Sequence, residues 1–220
     1  MINAIILLTH LLLVGGCTLY AFRKGSIALS GWICLQAVLA NLFVLKQMDL
    51  FGYAVTCSDA FAIGMLFGLN LLREYIGKKE AAQAMRASFL LMAFFVIFSQ
   101  IHLLYAPHSF DATHFLYALL LNPAPRLLLA SLATFYIVQR FDLFLFGAIQ
   151  KLPLPFSLRN MGSTAISQAV DTVLFSCLGL YGIVPCLTSI ITLSLIIKWG
   201  IICLMGPLLH LAKRMRPYEV

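Results

Sequence analysis

The chain has 220 residues, 62% of them hydrophobic and 10% charged, with a mean hydropathy of +0.97 and a formal charge of +7. A soluble domain carries roughly 25% charged residues, so this composition excludes a water-soluble fold. Apolar runs cover nearly the whole length, which also excludes one anchor carrying a soluble domain. The expected fold class is an all-α polytopic membrane protein, a single integral domain over 1–220.

In chain order, runs near the ~20 residues that cross hydrocarbon give about seven transmembrane helices, at about 2–22, 26–46, 54–72, 87–106, 116–149, 162–182 and 186–210. The first run has no basic segment before it and is followed by Arg23 and Lys24, which is the wrong polarity for a secretory signal; a retained span is expected. The fifth is too long for one helix. Pro123 and Pro125 remove backbone donors and disfavour helix at the residues before them, so 114–122 is expected to be a short or re-entrant piece and the spanning helix to start near Pro125.

The cations fall in alternate loops: Arg23 and Lys24; Arg73, Lys78, Lys79 and Arg86; Lys151 and Arg159; Lys213, Arg214 and Arg216. The loops between carry only Lys46. This positive-inside pattern predicts an inner-membrane protein with its N-terminus outside and its C-terminus in the cytoplasm, and it leaves no clustered basic face for nucleic acid. Cys17, Cys34, Cys57, Cys177, Cys186 and Cys203 stand singly, as small packing residues rather than a disulfide framework or thiolate metal site. His108 and His114 are too far apart for one helical face, and no metal is expected there. No nucleophile elbow, phosphate loop or zinc-protease motif occurs, so no enzyme and no cofactor is expected. Gly64 and Gly68 form a small-residue pair in span three that suits close helix packing, with a contact between copies in a homo-oligomer as the alternative.

A charged side chain at the bilayer centre costs ~2.5–3.5 kcal/mol on insertion scales, so each polar group inside a span is a candidate. These are Asn41 and Lys46 at the end of span two, Thr56, Ser58 and Asp59 in span three with Asn70, Arg73 and Glu74 at its close, Arg126, Ser131, Gln139 and Asp142 in span five, Ser163, Gln168 and Asp171 in span six, and Lys198 in span seven. Gln139-Arg-Phe-Asp142 and Gln168-Ala-Val-Asp171 share one spacing, each followed four residues later by Phe146 or Phe175. On a helix, residues three apart share a face, and the repeated costly pair points to a shared cavity between helices. The competing readings are interhelical glue worth ~0.6 kcal/mol on average, snorkelling at a helix end for Asp142, and a plain ion pair between Asp171 and Lys198, both near the middle of their spans.

The ordered set resembles a known family. Ala40-Asn41 with Lys46, Leu50-Phe-Gly-Tyr-Ala-Val-Thr56 leading to Asp59, and Glu74-Tyr-Ile-Gly-Lys-Lys-Glu-Ala81 are similar to the first half of the queuosine precursor transporters, the vitamin-uptake-transporter-like family. Pro125-Arg-Leu-Leu-Leu-Ala-Ser131, Gln139-x-x-Asp142, Arg159-Asn-x-x-Ser-Thr164, Ser167-Gln-Ala-Val-Asp-Thr172 with Phe175, and Lys198 before Pro207 follow the second half in order. The resemblance covers about 35–210 and implies a six-helix substrate-binding core (26–212) plus an extra N-terminal helix (1–24). Two departures stand out: Asn70 replaces the family's usual acidic residue, and Leu152-Pro-Leu-Pro155 differs from its tryptophan-bearing turn.

The resemblance implies import of a purine-like 7-deazaguanine base (7-cyano-7-deazaguanine, 7-aminomethyl-7-deazaguanine or queuine) across the lipid bilayer for transfer-RNA modification. Asn41, Asp59, Arg126, Gln139, Asp142, Gln168, Asp171 and Lys198 are then the expected binding residues. Asp171 with Gln168 would hold the adjacent N–H and amino groups of the base, an amide or arginine its carbonyl, and Asp142 or Asp59 an aminomethyl cation. Two alternatives are a substrate-capturing subunit of an ATPase-energised vitamin transporter and a non-transporting membrane scaffold.

Overall fold

The computed structural model describes residues 2–149 and 156–214. Helices α1 (Ile2–Arg23) and α2 (Ser26–Phe43) are followed by a hairpin of β1 (Gln47–Leu50) and β2 (Tyr53–Thr56). Helix α3 (Asp59–Leu71) widens into a π turn over Leu72–Ile76, and α4 (Lys78–Leu103) follows directly. The short α5 (His114–Leu121) precedes α6 (Ala124–Ile149); α7 (Phe156–Phe175) also ends in a π turn, Ser176–Leu180, and α8 (Leu187–Arg214) closes the bundle. The protein is an all-α polytopic membrane protein apart from the hairpin. Among the described residues α1, α2, α4 and the stretch His114–Val138 are long and apolar enough to cross a bilayer, and Ala165–Leu180 and Leu187–Gly200 are shorter apolar helices.

The proline-rich break falls where the sequence places it, with α5 stopping at Leu121 and α6 starting at Ala124. Other boundaries move. The second helix ends at Phe43 rather than 46, and the third begins at Asp59 rather than 54, because 47–56 pair as antiparallel strands in the register Gln47↔Thr56 to Leu50↔Tyr53. Phe51 (φ 55) and Gly52 (φ 84) both take positive φ, as a two-residue turn matched to the strand twist requires. Asp49 accepts the Gly52 N–H at 3.3 Å. Helix α4 starts at Lys78 rather than 87, since helical hydrogen bonding does not require apolar side chains and the charged first turns continue the helix past the apolar run.

Three apolar clusters hold the bundle. At one end the closing turn of α1 (Ala21, Phe22), the start of α2 (Leu29, Ile33), the close of α3 (Phe67, Leu71, Leu72), the start of α4 (Ala81, Ala84) and Ile202 of α8 pack together. Ala37, Met92, Val96, Ala124 and Leu128 join α2, α4 and α6 further along. Val44, Leu127, Leu180, Val184 and Ile190 join α2, α6 and α8 to the π turn after α7 at the opposite end. Large apolar side chains that remain exposed, such as Ile27, Phe98 and Leu129, suit a lipid-facing exterior.

Gly64 and Gly68 face the chain's own helices. A side chain at Gly64 would run into Gln36 and Val14, and one at Gly68 would come within 2.7 Å of Ile33 Cγ1. The pair thus lets α3 lie close against α2 and α1. Gly68→Leu is expected to destabilise the detergent-solubilised protein by about 1–3 kcal/mol through overpacking, read as a lowered melting temperature. Gly31→Ala, in open surroundings inside α2, is the control that leaves it unchanged or slightly raised, since alanine is the better helix residue.

Candidate functional site

Helices α2, α3, α4, α6, α7 and α8 line a partly open cavity of about 190 Å³. Each helix presents one stripe at helical spacing: Ala37, Ala40 and Asn41 on α2, continued by Val44 just past its end; Met85, Ser88, Phe89 and Met92 on α4; Ile190, Ser194 and Lys198 on α8. The walls are mainly apolar and aromatic, with Phe89, Phe135 and Phe175 supplying ring surface. Phe89 and Phe135 bring α4 and α6 together with ring centroids 4.7 Å apart. The volume lies under the ~300 Å³ lower bound for pockets that take drug-sized ligands, so the cavity suits a compact guest.

Polar groups concentrate along α8. Lys198, buried, donates to Asp171 Oδ2 at 3.2 Å and to Thr172 Oγ1 at 2.9 Å. Thr172 in turn donates to the Gln168 carbonyl at 2.8 Å. One turn before Lys198, Ser194 Oγ donates to Asp59 Oδ2 at 2.6 Å, within the short range expected of a hydroxyl bonded to a carboxylate. Ser58 donates to Thr56 Oγ1 at 3.3 Å, which leaves the Thr56 proton free to turn toward Asp59.

Two buried cavity-lining atoms have no hydrogen-bond partner, Asn41 Oδ1 and Thr134 Oγ1. The Asn41 amide nitrogen is occupied, donating to the Ala37 carbonyl at 3.2 Å and to Met92 Sδ at 2.7 Å. Buried polar atoms are nearly always paired in folded proteins, so an acceptor and a hydroxyl facing one cavity mark a place for a polar guest.

Of the residues singled out from sequence, Asn41, Asp59, Asp171 and Lys198 come together around this cavity. Gln168 is half-buried and does not line it; its backbone carbonyl supports Thr172. Arg126 lies elsewhere, exposed, donating from Nε to the Leu178 carbonyl at 3.0 Å and from Nη2 to the Tyr181 carbonyl at 2.6 Å. It caps the end of α7 at these two carbonyls, where a helix C-terminus favours a cation, while the Leu180 carbonyl receives the N–H groups of Ile183 and Val184. The side chains of Gln139 and Asp142 fall outside the described residues. The sequence reading gave Thr134, Ser194 and Thr172 no role of their own. Hydroxyls are common in membrane helices and carry no cost that flags them, although the spacing of Ser194 four residues before Lys198 places both on one face.

Residues 60–212 match the family model described as "Putative vitamin uptake transporter". The chain is similar to the "Probable queuosine precursor transporter" of Bacillus subtilis (strain 168), at 31% identity over 201 residues that cover 89% of this chain and 87% of the relative. No solved structure matches.

Two substitutions separate the roles of these groups. Lys198→Met leaves Asp171 without its cation and is expected to cost about 2 kcal/mol, a loss that adding Asp171→Asn partly reverses; thermal unfolding of the single and double variants measures it. Thr134→Val removes an unpaired hydroxyl at constant shape and is expected to leave the unliganded melting temperature unchanged or raised.

Proposed function

Because the chain belongs to the vitamin uptake transporter family, we propose that the cavity between α2, α3, α4, α6, α7 and α8 binds a queuosine precursor, a 7-deazaguanine base, and that the protein imports it for salvage into transfer RNA. The observation that carries this reading is the joining of two carboxylates, Asp59 and Asp171, to aromatic walls in one compact cavity. A guanine-like edge presents an N–H and an amino group side by side, which a carboxylate accepts through both oxygens. The face of the ring lies against Phe89, Phe135 or Phe175, and Asn41 Oδ1 and Thr134 Oγ1 meet polar atoms elsewhere on its rim.

The same reading assigns orientation. The basic end, with Arg23, Lys24, Arg73, Lys78 and Lys79, faces the cytoplasm, and the end carrying the hairpin faces outward. Import then runs from the hairpin end toward the basic end.

Uptake of labelled 7-cyano-7-deazaguanine and 7-aminomethyl-7-deazaguanine, in cells unable to synthesise them, tests the proposal. Uptake is expected to require the chain and to fall at least about tenfold in Asp171→Asn, equivalent to ~1.4 kcal/mol. Undiminished uptake by both Asp171→Asn and Asp59→Asn excludes this cavity as the site. Uptake by the purified chain alone in liposomes excludes a strict need for an energising partner.

A further inference from the structure

We propose that the cavity is one positive charge short, and that Asp59 is the carboxylate whose charge must be cancelled by the cargo: a cationic base supplies its own ammonium, whereas a neutral base enters together with a proton taken by Asp59. The inference rests on the reading of this cavity as the transport site and adds to it the rule by which charge moves with cargo.

The described lining of the cavity holds three ionisable groups, Asp59, Asp171 and Lys198. Lys198 is committed on α7, to Asp171 at 3.2 Å and Thr172 at 2.9 Å. Among the described residues Asp171 is its salt-bridge partner, and no cation stands within 4.0 Å of Asp59. What Asp59 has instead is the longer-range attraction of Lys198, a single charge that Asp171 already holds in contact, together with the Ser194 hydroxyl at 2.6 Å and the Thr56 hydroxyl nearby. Hydroxyl dipoles soften a carboxylate's burial but do not cancel its charge, and Asp59 is only 7% exposed.

The other titratable groups around Asp59 do not fill the gap. Cys57, two residues away, carries no positive charge. Lys46 sits exposed at the foot of the hairpin, where its carbonyl receives the Cys57 N–H at 2.8 Å. His10 of α1 stacks edge-on against the Phe61 ring, centroids 4.7 Å apart. The described lining of α2, α4 and α6 is uncharged. Arg126 is spent on the carbonyls of Leu178 and Tyr181.

A second observation points to a ligand in the same space: the unpaired Asn41 Oδ1 and Thr134 Oγ1, with Thr134 only 1% exposed. Charged and neutral recognition groups therefore share one cavity, and only the charged set is out of balance. A neutral base binds with one proton taken up by the Asp59 carboxylate, and release on the far side returns it. A base with a primary ammonium binds the Asp59 carboxylate directly and takes up none. Either cargo carries one positive charge inward per cycle.

The two precursor bases differ in this property, so they serve as probes of the purified wild-type protein. Calorimetric titration in two buffers of different ionisation enthalpy is expected to show up to one proton taken up with neutral 7-cyano-7-deazaguanine and none with cationic 7-aminomethyl-7-deazaguanine. By linkage, affinity for the neutral base falls as pH rises, approaching tenfold per unit, while affinity for the cationic base holds or rises. Asp59→Asn should abolish the pH dependence for the neutral base and weaken the cationic base at least tenfold. Parallel pH profiles for the two bases in the wild-type protein, or equal proton uptake, overturn the proposal even if Asp59→Asn does not fold. Failure of the wild-type protein to bind either base overturns the transport-site reading, and this inference with it.

Discussion

The Lys198 ammonium, held 3.2 Å from Asp171 and 2.9 Å from Thr172 inside an apolar bundle, is the contact on which the surrounding arrangement depends. A bare ammonium among hydrocarbon groups is costly, so α7 must present Asp171 and Thr172 to α8 at that level. Once α8 is fixed about its axis, Ser194 falls one turn away on the same face and meets Asp59, which ties the start of α3 to α8. The hairpin strand β2 leads directly into that start through Cys57 and Ser58, so the polar groups of α3, α7 and α8 are set by one helix rotation.

How the helices end matters as much as how they pack. Helices α3 and α7 both finish in a π turn, closed by the N–H of Gly77 to the Leu72 carbonyl at 2.7 Å and of Tyr181 to the Ser176 carbonyl at 3.0 Å. Such widened turns leave carbonyls poorly served by the backbone. After α7, Arg126 supplies the missing donors and a favourable positive charge at the helix C-terminus. That employment withdraws an arginine from the cavity and leaves Lys198 to face two carboxylates.

Much of this was legible in the chain before folding. Pro123 and Pro125 cannot be accommodated inside one continuous helix, and the break between α5 and α6 follows. Asp171 and Lys198 are costly enough in a greasy run to demand a partner, and each is the other's. The hairpin was less visible. Its strands are four residues each, and its turn places Phe51 at positive φ, a conformation disfavoured for a bulky side chain and held by the strand pairing of Leu50 with Tyr53 on either side. Arg126 shows a different limit, because sequence signals the expense of an arginine but not which groups will satisfy it. Thr134 and Ser194 were silent for the opposite reason: a hydroxyl in a membrane helix can bond its own backbone, so nothing in its presence shows that it faces a neighbour.

The close approach at Gly64 bears on α1. Gln36 is completely buried, its amide lying in the groove that Gly64 leaves open, with Val14 of α1 against the same spot. Neither end of that amide has a hydrogen-bond partner among the described residues, so Val14 keeps acyl chains away from it without satisfying it. The N-terminal helix therefore acts as a wall between one polar side chain and the lipid. Taking α1 away would remove Val14 and leave the Gln36 amide and the notch at Gly64 open to hydrocarbon, so α1 belongs to the packing of α2 and α3.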